Sequence, residues 1–363
     1  MNDERGGDRL LLAVSIGLTL FGVIMVYSAS AVMAKYSYNS QFYFVVRQSI
    51  AAVLGIAIML VLMNVDPQLL RRPLTVYAVL LISILLLVVV LFLPATKGTH
   101  RFIKLLGVSF QPSELGKFAL VLFLAYYLSK RSGEIRSILK TFVPCCVVTA
   151  LISALVLAGK DLGTTVVIGL VAAVMMLAAG VPFRYMAVCA LPTVPVLYWQ
   201  LFHVAYRQQR LKAFLDPWQY ARDEGFQVVQ SLIAIGSGGM HGLGLGQGKQ
   251  KMFYLPEAHT DFIYAVIGEE LGFIGAVTVV LVFLIFMWRG LHIARAAEDM
   301  FVSLLATGIT VTLVMQAFFN MSVVLSLVPA KGIPLPFISY GGSSLLLSLT
   351  AVGLLLNLSK QVE

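Results

Sequence analysis

Charged residues are scarce in this chain of 363 residues, since Lys, Arg, Asp and Glu together make up only 12% of it. Soluble domains contain about 25% charged residues. Hydrophobic residues reach 59%, and the mean hydropathy is +0.91. This composition excludes a soluble globular domain and predicts an integral membrane protein.

Cysteine is also rare, because the chain contains only three. Cys145, Cys146 and Cys189 lie inside long apolar runs and show no metal-ligand spacing. The sequence therefore excludes a disulfide framework and a cysteine-based zinc site, and it predicts three buried thiols.

Familiar phosphate-binding motifs are missing as well. The glycine-rich run at 236–251, GSGGMHGLGLGQGKQK, holds no G-x-G-x-x-G in register, and Gly248-Lys249 is followed by Gln250 instead of Ser or Thr. Dinucleotide-binding and Walker A loops are thereby excluded. Two interpretations of the run remain open: a flexible re-entrant turn, or a loop whose backbone amides, with Lys249 and Lys251, approach an anionic ligand.

What the chain does contain is a series of apolar runs of about 20 residues, each long enough to cross a hydrocarbon core of about 30 Å as a helix. The sequence predicts an all-α polytopic membrane protein with about ten transmembrane helices in one domain, 1–363. The predicted spans are 10–34, 46–65, 73–94, 112–129, 137–158, 162–180, 183–203, 262–289, 300–324 and 338–358.

The distribution of Lys and Arg over the short loops predicts the orientation. These residues are more frequent on the side that holds the N-terminus, which places both termini in the cytoplasm. The long stretch 204–261, between the seventh and eighth spans, is then an external loop. The net charge of +9 reflects this bias, and no basic stripe interleaved with aromatic residues indicates nucleic-acid binding.

Two helix starts carry unusual charges. Glu114 lies in the first turn of the fourth span and Lys117 three residues later on the same face, where they either favour the helix start and neutralise each other or serve a function. Asp261 opens the eighth span, and Glu269 and Glu270 follow about two turns deeper. Ionisable groups at membrane depth are costly, which makes them candidates for function.

The predicted topology places most of these groups at one membrane face. Every even-numbered helix starts outside, so Glu114, Lys117 and Asp261 share a level with Arg101, Asp161 and residues 334–344. For four residues a structural role is the first interpretation: Asp161 as a helix cap, His259 as a hydrogen-bonding neighbour of Asp261, and Glu269 with Glu270 as a structural or gating pair. A catalytic base is the alternative for His259.

Four stretches resemble one known family closely and in family order. They are LPEAHTDFIYAVIGEELGFIG (255–275), GFQVVQSLIAIGSGG (225–239), FQPSELGK (110–117) and KGIPLPFISYGGSS (331–344). They are similar to the SEDS family of bacterial cell-wall proteins, which includes FtsW, RodA and SpoVE, and residues 242–272 are most similar to FtsW, the cell-division member. The resemblance implies a ten-helix peptidoglycan glycosyltransferase that polymerises lipid II outside the cytoplasmic membrane in division or elongation.

The resemblance also implies site residues. Asp261 matches the family's essential external carboxylate and is our candidate catalytic base, while Glu114 and Lys117 match its charged pair in the central cavity. Phe102 and Lys160 depart from the usual Trp and Pro, which weakens the assignment of their neighbours Arg101 and Asp161. The substrate-binding candidates are Glu114, Lys117, Arg101, Arg207, Arg210, Lys249, Lys251, His259 and Asp161.

The chemistry of the expected reaction is compatible with this set. Displacing a lipid pyrophosphate requires a base for the attacking hydroxyl and positive charge for the phosphates. A divalent cation, Mg²⁺ or Mn²⁺, would assist, although no ligand cluster has metal spacing. Expected partners are lipid II, the nascent glycan strand, a class B penicillin-binding protein and other division or elongation proteins.

Two rival functions remain open. A lipid II flippase would use glycine-broken helices and charges near the membrane midplane, but it would need polar groups along the whole path, whereas these gather at one face. A scaffold that only recruits division proteins would tolerate the removal of charge at Glu114 and Asp261.

Overall fold

The computed structural model describes residues 7–95, 98–105, 108–202, 205–223, 225–329 and 331–362. Within these ranges the chain is mostly helical. The α-helices are α1 (Arg9–Tyr38), α2 (Tyr43–Leu62), α3 (Gln68–Arg71), α4 (Pro73–Phe92), α5 (Pro112–Lys130), α6 (Val143–Ala158), α7 (Leu162–Ala178), α8 (Phe183–Phe202), α9 (Ala205–Leu215), α10 (Phe226–Gly238), α11 (Ile263–Ala296), α12 (Met300–Val324) and α13 (Gly342–Ser359).

Seven helical segments of the described chain are long and apolar enough to cross a membrane. They are α1, α2, α4, the segment Ile138–Ala158 that joins a π-helical turn to α6, α11, α12 and α13. The prediction of an all-α polytopic membrane protein is therefore confirmed. The other predicted spans coincide with the helices α5, α7 and α8, and the count of ten transmembrane helices stays a prediction.

Three local features differ from the sequence prediction. The stretch 204–261 contains the helices α9 and α10, of which α10 corresponds to its amphipathic part. A small antiparallel hairpin precedes α5, formed by β1 (Ile103–Leu105) and β2 (Val108–Phe110), with Ile103 opposite Phe110. The last helix begins at Gly342, because Phe337 adopts a positive φ of 66° and the chain before Gly341 is irregular.

The helix α12 forms the centre of the bundle. It packs against α11, α5, α7 and α13 and is buried along most of its length. The outer helices instead expose apolar side chains; on α2 and α4, for example, Val53 and Leu74 are 68% and 81% exposed. Apolar residues on the outside suit a lipid environment, where burial of apolar surface does not drive helices together.

A segment without regular structure, residues 331–341, runs into the bundle between α12 and α13. Its residue Phe337 reaches the middle of α1, where a Cβ on Gly22 would lie 2.5 Å from the Phe337 carbonyl oxygen. The Phe337 ring packs 6.4 Å from Phe283 and 5.9 Å from Phe286 of α11. Irregular backbone at membrane depth is tolerated only where protein groups satisfy its hydrogen bonds. The backbone carbonyls of this segment therefore need donors from neighbouring helices.

Candidate active site

Asp261 lies directly before α11, against the segment 331–341. Its backbone carbonyl accepts a hydrogen bond of 2.7 Å from Nδ2 of Asn320. The carboxylate faces Gly332, since a Cβ on that glycine would lie 2.5 Å from Oδ2 of Asp261. The absence of a side chain at position 332 thus makes room for the carboxylate, which is only partly buried.

Glu114, in the first turn of α5, and Lys117, in the second, form a buried ion pair. Lys117 Nζ lies 2.9 Å from Glu114 Oε1, and the two residues are 3% and 1% exposed. Lys117 also donates to Oε1 of Gln316, while the Ser344 hydroxyl donates to Glu114 Oε2 over 3.3 Å. The ion pair that the structural interpretation requires is present, and its contacts extend to α12 and α13; a functional role of the pair stays a prediction.

Two amide side chains of α12 connect the ion pair to Asp261. Gln316 donates from Nε2 to the Pro334 carbonyl over 3.0 Å. Asn320, four residues further on, donates to the Ile333 carbonyl over 2.7 Å in addition to its bond to Asp261. The sequence analysis missed both residues, although two amides spaced i, i+4 in an apolar span share one helix face and were the available signal.

Asp161 caps the N-terminus of α7 beside the same segment. Its side chain accepts hydrogen bonds from the backbone N–H and the hydroxyl of Thr164, over 3.1 and 2.9 Å. The predicted capping role is therefore confirmed. Arg101 Nη1 lies 3.9 Å from Asp161 Oδ1. A Cβ on Gly163 would lie 2.8 Å from the Ile333 side chain, so the start of α7 contacts the segment 331–341 as well.

His259 is buried among aromatic rings. Its imidazole centroid lies 4.6 Å from that of Phe44 and 5.7 Å from that of Tyr340, and its carbonyl accepts the Tyr340 N–H over 2.9 Å. The Ser339 hydroxyl donates to the Thr260 carbonyl over 2.6 Å. These bonds hold the chain just before Asp261 against the segment 331–341.

A second buried cluster involves Glu269 and Glu270. Glu270 Oε1 lies 2.5 Å from Lys251 Nζ, and the Ser28 hydroxyl lies 2.8 and 2.7 Å from the two Glu270 carboxylate oxygens. Glu269 accepts hydrogen bonds from the backbone N–H groups of Lys249 and Gln250, over 2.7 and 3.1 Å. The glycine-rich loop does approach anions, namely two glutamates of its own chain.

The same loop occupies a break in α11 at Gly272, which has φ 69° and ψ −166°. In an unbroken helix the N–H groups of residues 273 and 274 would bond to the carbonyls of Glu269 and Glu270. They bond instead to Gly239 and Met240, over 2.8 and 3.2 Å, and the N–H groups of residues 243 and 244 bond to the two glutamate carbonyls, over 3.0 and 2.9 Å. The loop thereby satisfies the backbone groups that the break leaves open.

The remaining basic candidates lie outside these clusters. The Lys249 side chain is exposed and that of Arg210 is partly buried. The Arg207 side chain is outside the described part of the structure. Lys251 is engaged by Glu270, so we do not carry it into the proposed substrate site.

The opposite end of α5 carries a separate set of charges. Hydrogen bonds from Lys140 and Arg131 hold the pKa of the Glu134 carboxyl below its usual value. A hollow of about 500 Å³ lies here, lined by Glu134, Arg136, Lys140 and Gly180. Because it lies at the far end of α5 from Lys117, it is not part of the Asp261 site.

No group of three or more His, Cys, Asp or Glu side chains converges to hold a metal ion in the described ranges. The side chains that bond to the backbone at Thr260 and Asp261 are a hydroxyl, that of Ser339, and an amide, that of Asn320. Hard divalent cations prefer several carboxylate ligands together with water, so the donors present do not form a dedicated metal site.

The sequence as a whole decides the family. Residues 8–363 match the model of the FtsW/RodA/SpoVE family, described as cell cycle protein. The chain belongs to this family. The resemblance of its motifs is thereby confirmed over almost the entire chain.

Curated relatives agree with the family match. The chain is 45% identical over 361 residues to a probable peptidoglycan glycosyltransferase FtsW of Geobacter sulfurreducens (strain DL-1 / KN400), covering 98% of this chain and 96% of the relative. It is 40% identical over 358 residues to the stage V sporulation protein E of Bacillus subtilis (strain 168), covering 97% of each. Similarity to FtsW is thus confirmed.

Solved structures share the fold. A chain of a peptidoglycan synthase complex that coordinates polymerization and crosslinking is 28% identical, with a TM-score of 0.80 and 98% of both chains covered. The rod shape determining protein RodA of Thermus thermophilus is 26% identical, with a TM-score of 0.71, covering 98% of this chain and 97% of that one.

Proposed function

We propose that this chain is a peptidoglycan glycosyltransferase that polymerises lipid II into glycan strands on the outer face of the cytoplasmic membrane. One observation carries the proposal: the Asp261 carboxylate lies before α11 against Gly332 of the segment 331–341, and the α12 amides Asn320 and Gln316 connect Asp261 and this segment to the buried Glu114–Lys117 pair. A carboxylate held in this way, in a family whose relatives bear the name peptidoglycan glycosyltransferase, suits general-base catalysis.

Asp261 acts as the base for the attacking hydroxyl. It accepts the proton of the 4-hydroxyl of the acceptor GlcNAc while that oxygen bonds to the anomeric carbon of the donor sugar. The bond from this carbon to the lipid pyrophosphate breaks at the same time, through an oxocarbenium-like state. The proton ends on Asp261 and the electron pair leaves with the pyrophosphate, so the step needs no further reactant.

Cationic side chains with exposed surface stabilise the departing phosphates. Arg101, Arg210 and Lys249 meet this condition, and Arg207 belongs to the same basic stretch of sequence. Lys117 has a different role, because Glu114 already neutralises its charge. We assign the pair to holding α5 to α12, through the bond from Lys117 to Gln316.

A divalent cation stays outside this mechanism. The donors around Asp261 do not make a metal site, so the steps above depend only on side chains of the chain. Metal dependence of the purified protein is a separate measurement: titration with EDTA followed by Mg²⁺ or Mn²⁺.

The proposed location is the cytoplasmic membrane, with both termini in the cytoplasm and Asp261 outside. The excess of Lys and Arg on the side of the N-terminus supports this orientation. A fluorescent protein that matures only in the cytoplasm, fused after residue 363, tests it. Dark fusions of full expression level would contradict the orientation.

We further propose a class B penicillin-binding protein as partner, acting in cell division. A similar solved chain was determined within a peptidoglycan synthase complex, and the family is described as cell cycle protein. Polymerisation by the purified chain, measured with and without the candidate transpeptidase, tests the partnership.

The central test is lipid II polymerisation in reconstituted vesicles by wild type and Asp261→Asn. General-base catalysis contributes about 10² to 10⁴-fold, so we expect a loss of that size with an unchanged thermal midpoint. Wild-type rates in folded Asp261→Asn would refute the role of Asp261. Translocation of lipid II without chain formation by the wild type would favour a flippase.

A further inference from the structure

Two buried amides stand one helical turn apart on α12, in an otherwise apolar region. Gln316 and Asn320 are each 1% exposed. Burying an amide is unfavourable unless its hydrogen bonds are made, so each needs partners inside the bundle. Both amides bond to residues of the candidate active site.

Gln316 joins α5 to the segment 331–341. Its Oε1 accepts from Lys117 Nζ, and its Nε2 donates to the Pro334 carbonyl over 3.0 Å. Asn320 joins the same segment to the start of α11, because its Nδ2 donates to the carbonyls of Ile333 and Asp261, over 2.7 Å each.

These carbonyls lie outside regular secondary structure. No helical N–H group is available to them, and buried carbonyls without a donor are costly. The bonds therefore fix the backbone at Asp261 and at the residue pair 333–334. Gly332, which contacts the Asp261 carboxylate, directly precedes that pair.

We propose that Gln316 and Asn320 form an amide clamp that positions Asp261 relative to Lys117, with the segment 331–341 held between them. The proposal rests on the function proposed above. Both amides are positioning residues, since they hold backbone and an ion pair instead of touching the reacting atoms. Displacement of a catalytic group by about 1 Å costs about 100-fold in rate.

The chain supplies a matched control for this clamp. Asn357 of α13 is also buried, at 5% exposure, and its Nδ2 also donates to two carbonyls, those of Leu62 and Val65, over 2.9 and 2.6 Å. Those carbonyls belong to the chain around the end of α2 and not to the Asp261 site. Replacing Asn320 or Asn357 thus removes the same kind of interaction.

The test compares Asn320→Leu with Asn357→Leu, and Asn320→Ala with Asn357→Ala, in lipid II polymerisation and in hydrogen–deuterium exchange. We expect all four to lower the thermal midpoint. Only the Asn320 variants should lower kcat by about 100-fold, with KM for lipid II little changed, and only they should speed exchange in peptides that cover residues 331–335.

The results can contradict the amide clamp and the proposed function separately. Equal kcat losses at Asn320 and Asn357, or unchanged kcat at Asn320, would overturn the clamp. If the wild type itself makes no glycan, the proposed function fails, and the exchange data still judge the clamp: unchanged exchange at 331–335 in the Asn320 variants overturns it.

Discussion

The Lys251 ammonium lies 2.5 Å from the Glu270 carboxylate, and both residues are buried, at 6% and 0% exposure. The pair fastens the end of the glycine-rich loop to α11, and the hydroxyl of Ser28 on α1 completes it. The residues that follow the loop lead directly to Asp261. The pair therefore contributes to the geometry of the site although it does not belong to it.

We expect single replacements in this pair to be far more harmful than the double replacement. Lys251→Met or Glu270→Gln leaves one partner of a buried pair alone, which costs about 3 to 5 kcal/mol. The double variant removes both charges of the pair, so neither is left unpaired, and it should recover most of that loss. Thermal unfolding in detergent measures all three, with Lys249→Met as the exposed control for stability.

Additive losses of stability in the single and double variants would contradict this coupling. If the double variant lost the sum of the two single losses, Lys251 and Glu270 would not be energetically coupled. The short contact would then contribute no more to stability than two separate contacts.

The spans and the charged helix starts were accessible from the sequence because each has a local cause. Long apolar runs predict helices, and Glu114 with Lys117, three residues apart on a helix, must lie on one face. Asp161 is followed three residues later by Thr164, in the spacing of an N-cap. These predictions needed no knowledge of how the helices pack.

The rest depends on contacts between residues distant in sequence. Ser28 meets Glu270, and Asn320 meets backbone carbonyls of the segment 331–341 and of Asp261. The i, i+4 spacing of Gln316 and Asn320 places both amides on one helix face, but it does not indicate which carbonyls accept from them, because irregular segments follow no fixed spacing. The partners of Glu269 were hidden for the same reason, since they are N–H groups of a loop.

The close contact between α10 and α11 predicts opposite effects for two glycines of α10. A Cβ on Gly238 would lie 2.0 Å from the Gly268 carbonyl oxygen, whereas one on Gly236 would have nothing within 4 Å. Gly238→Ala should destabilise the protein by about 1 to 3 kcal/mol or more, as overpacking does. Gly236→Ala should be neutral or stabilising by up to about 1 kcal/mol, because alanine favours the helix.

Thermal midpoints of the two variants measured side by side check this contact. Equal midpoints for Gly236→Ala and Gly238→Ala would show that α10 does not approach α11 as closely as the distance requires.

Asp161 offers a test that separates capping from charge. Asn is as good an N-cap as Asp, and loss of the cap costs about 1 kcal/mol. We expect Asp161→Ala to lower the free energy of unfolding by about that amount and Asp161→Asn to keep it. The Asp161 carboxylate accepts hydrogen bonds from Thr164 and lies near Arg101, so we expect Asp161→Asn also to retain polymerisation. A stable but inactive Asp161→Asn would instead show that the charge of Asp161 is needed for substrate binding.

The Glu114–Lys117 pair can be divided into a structural and a functional part by a double-mutant cycle. Lys117→Met and Glu114→Gln each leave a buried charge unpaired, so each should cost about 3 to 5 kcal/mol and reduce polymerisation. In the double variant no charge is left unpaired, and stability should return. Activity should stay low, because the Met side chain no longer bonds to Gln316 and the contact from α5 to the Asp261 site is lost.

Unfolding midpoints and lipid II polymerisation measured on the same preparations check both parts. Full recovery of activity together with stability would mean that the pair only neutralises itself and that α5 takes no part in catalysis.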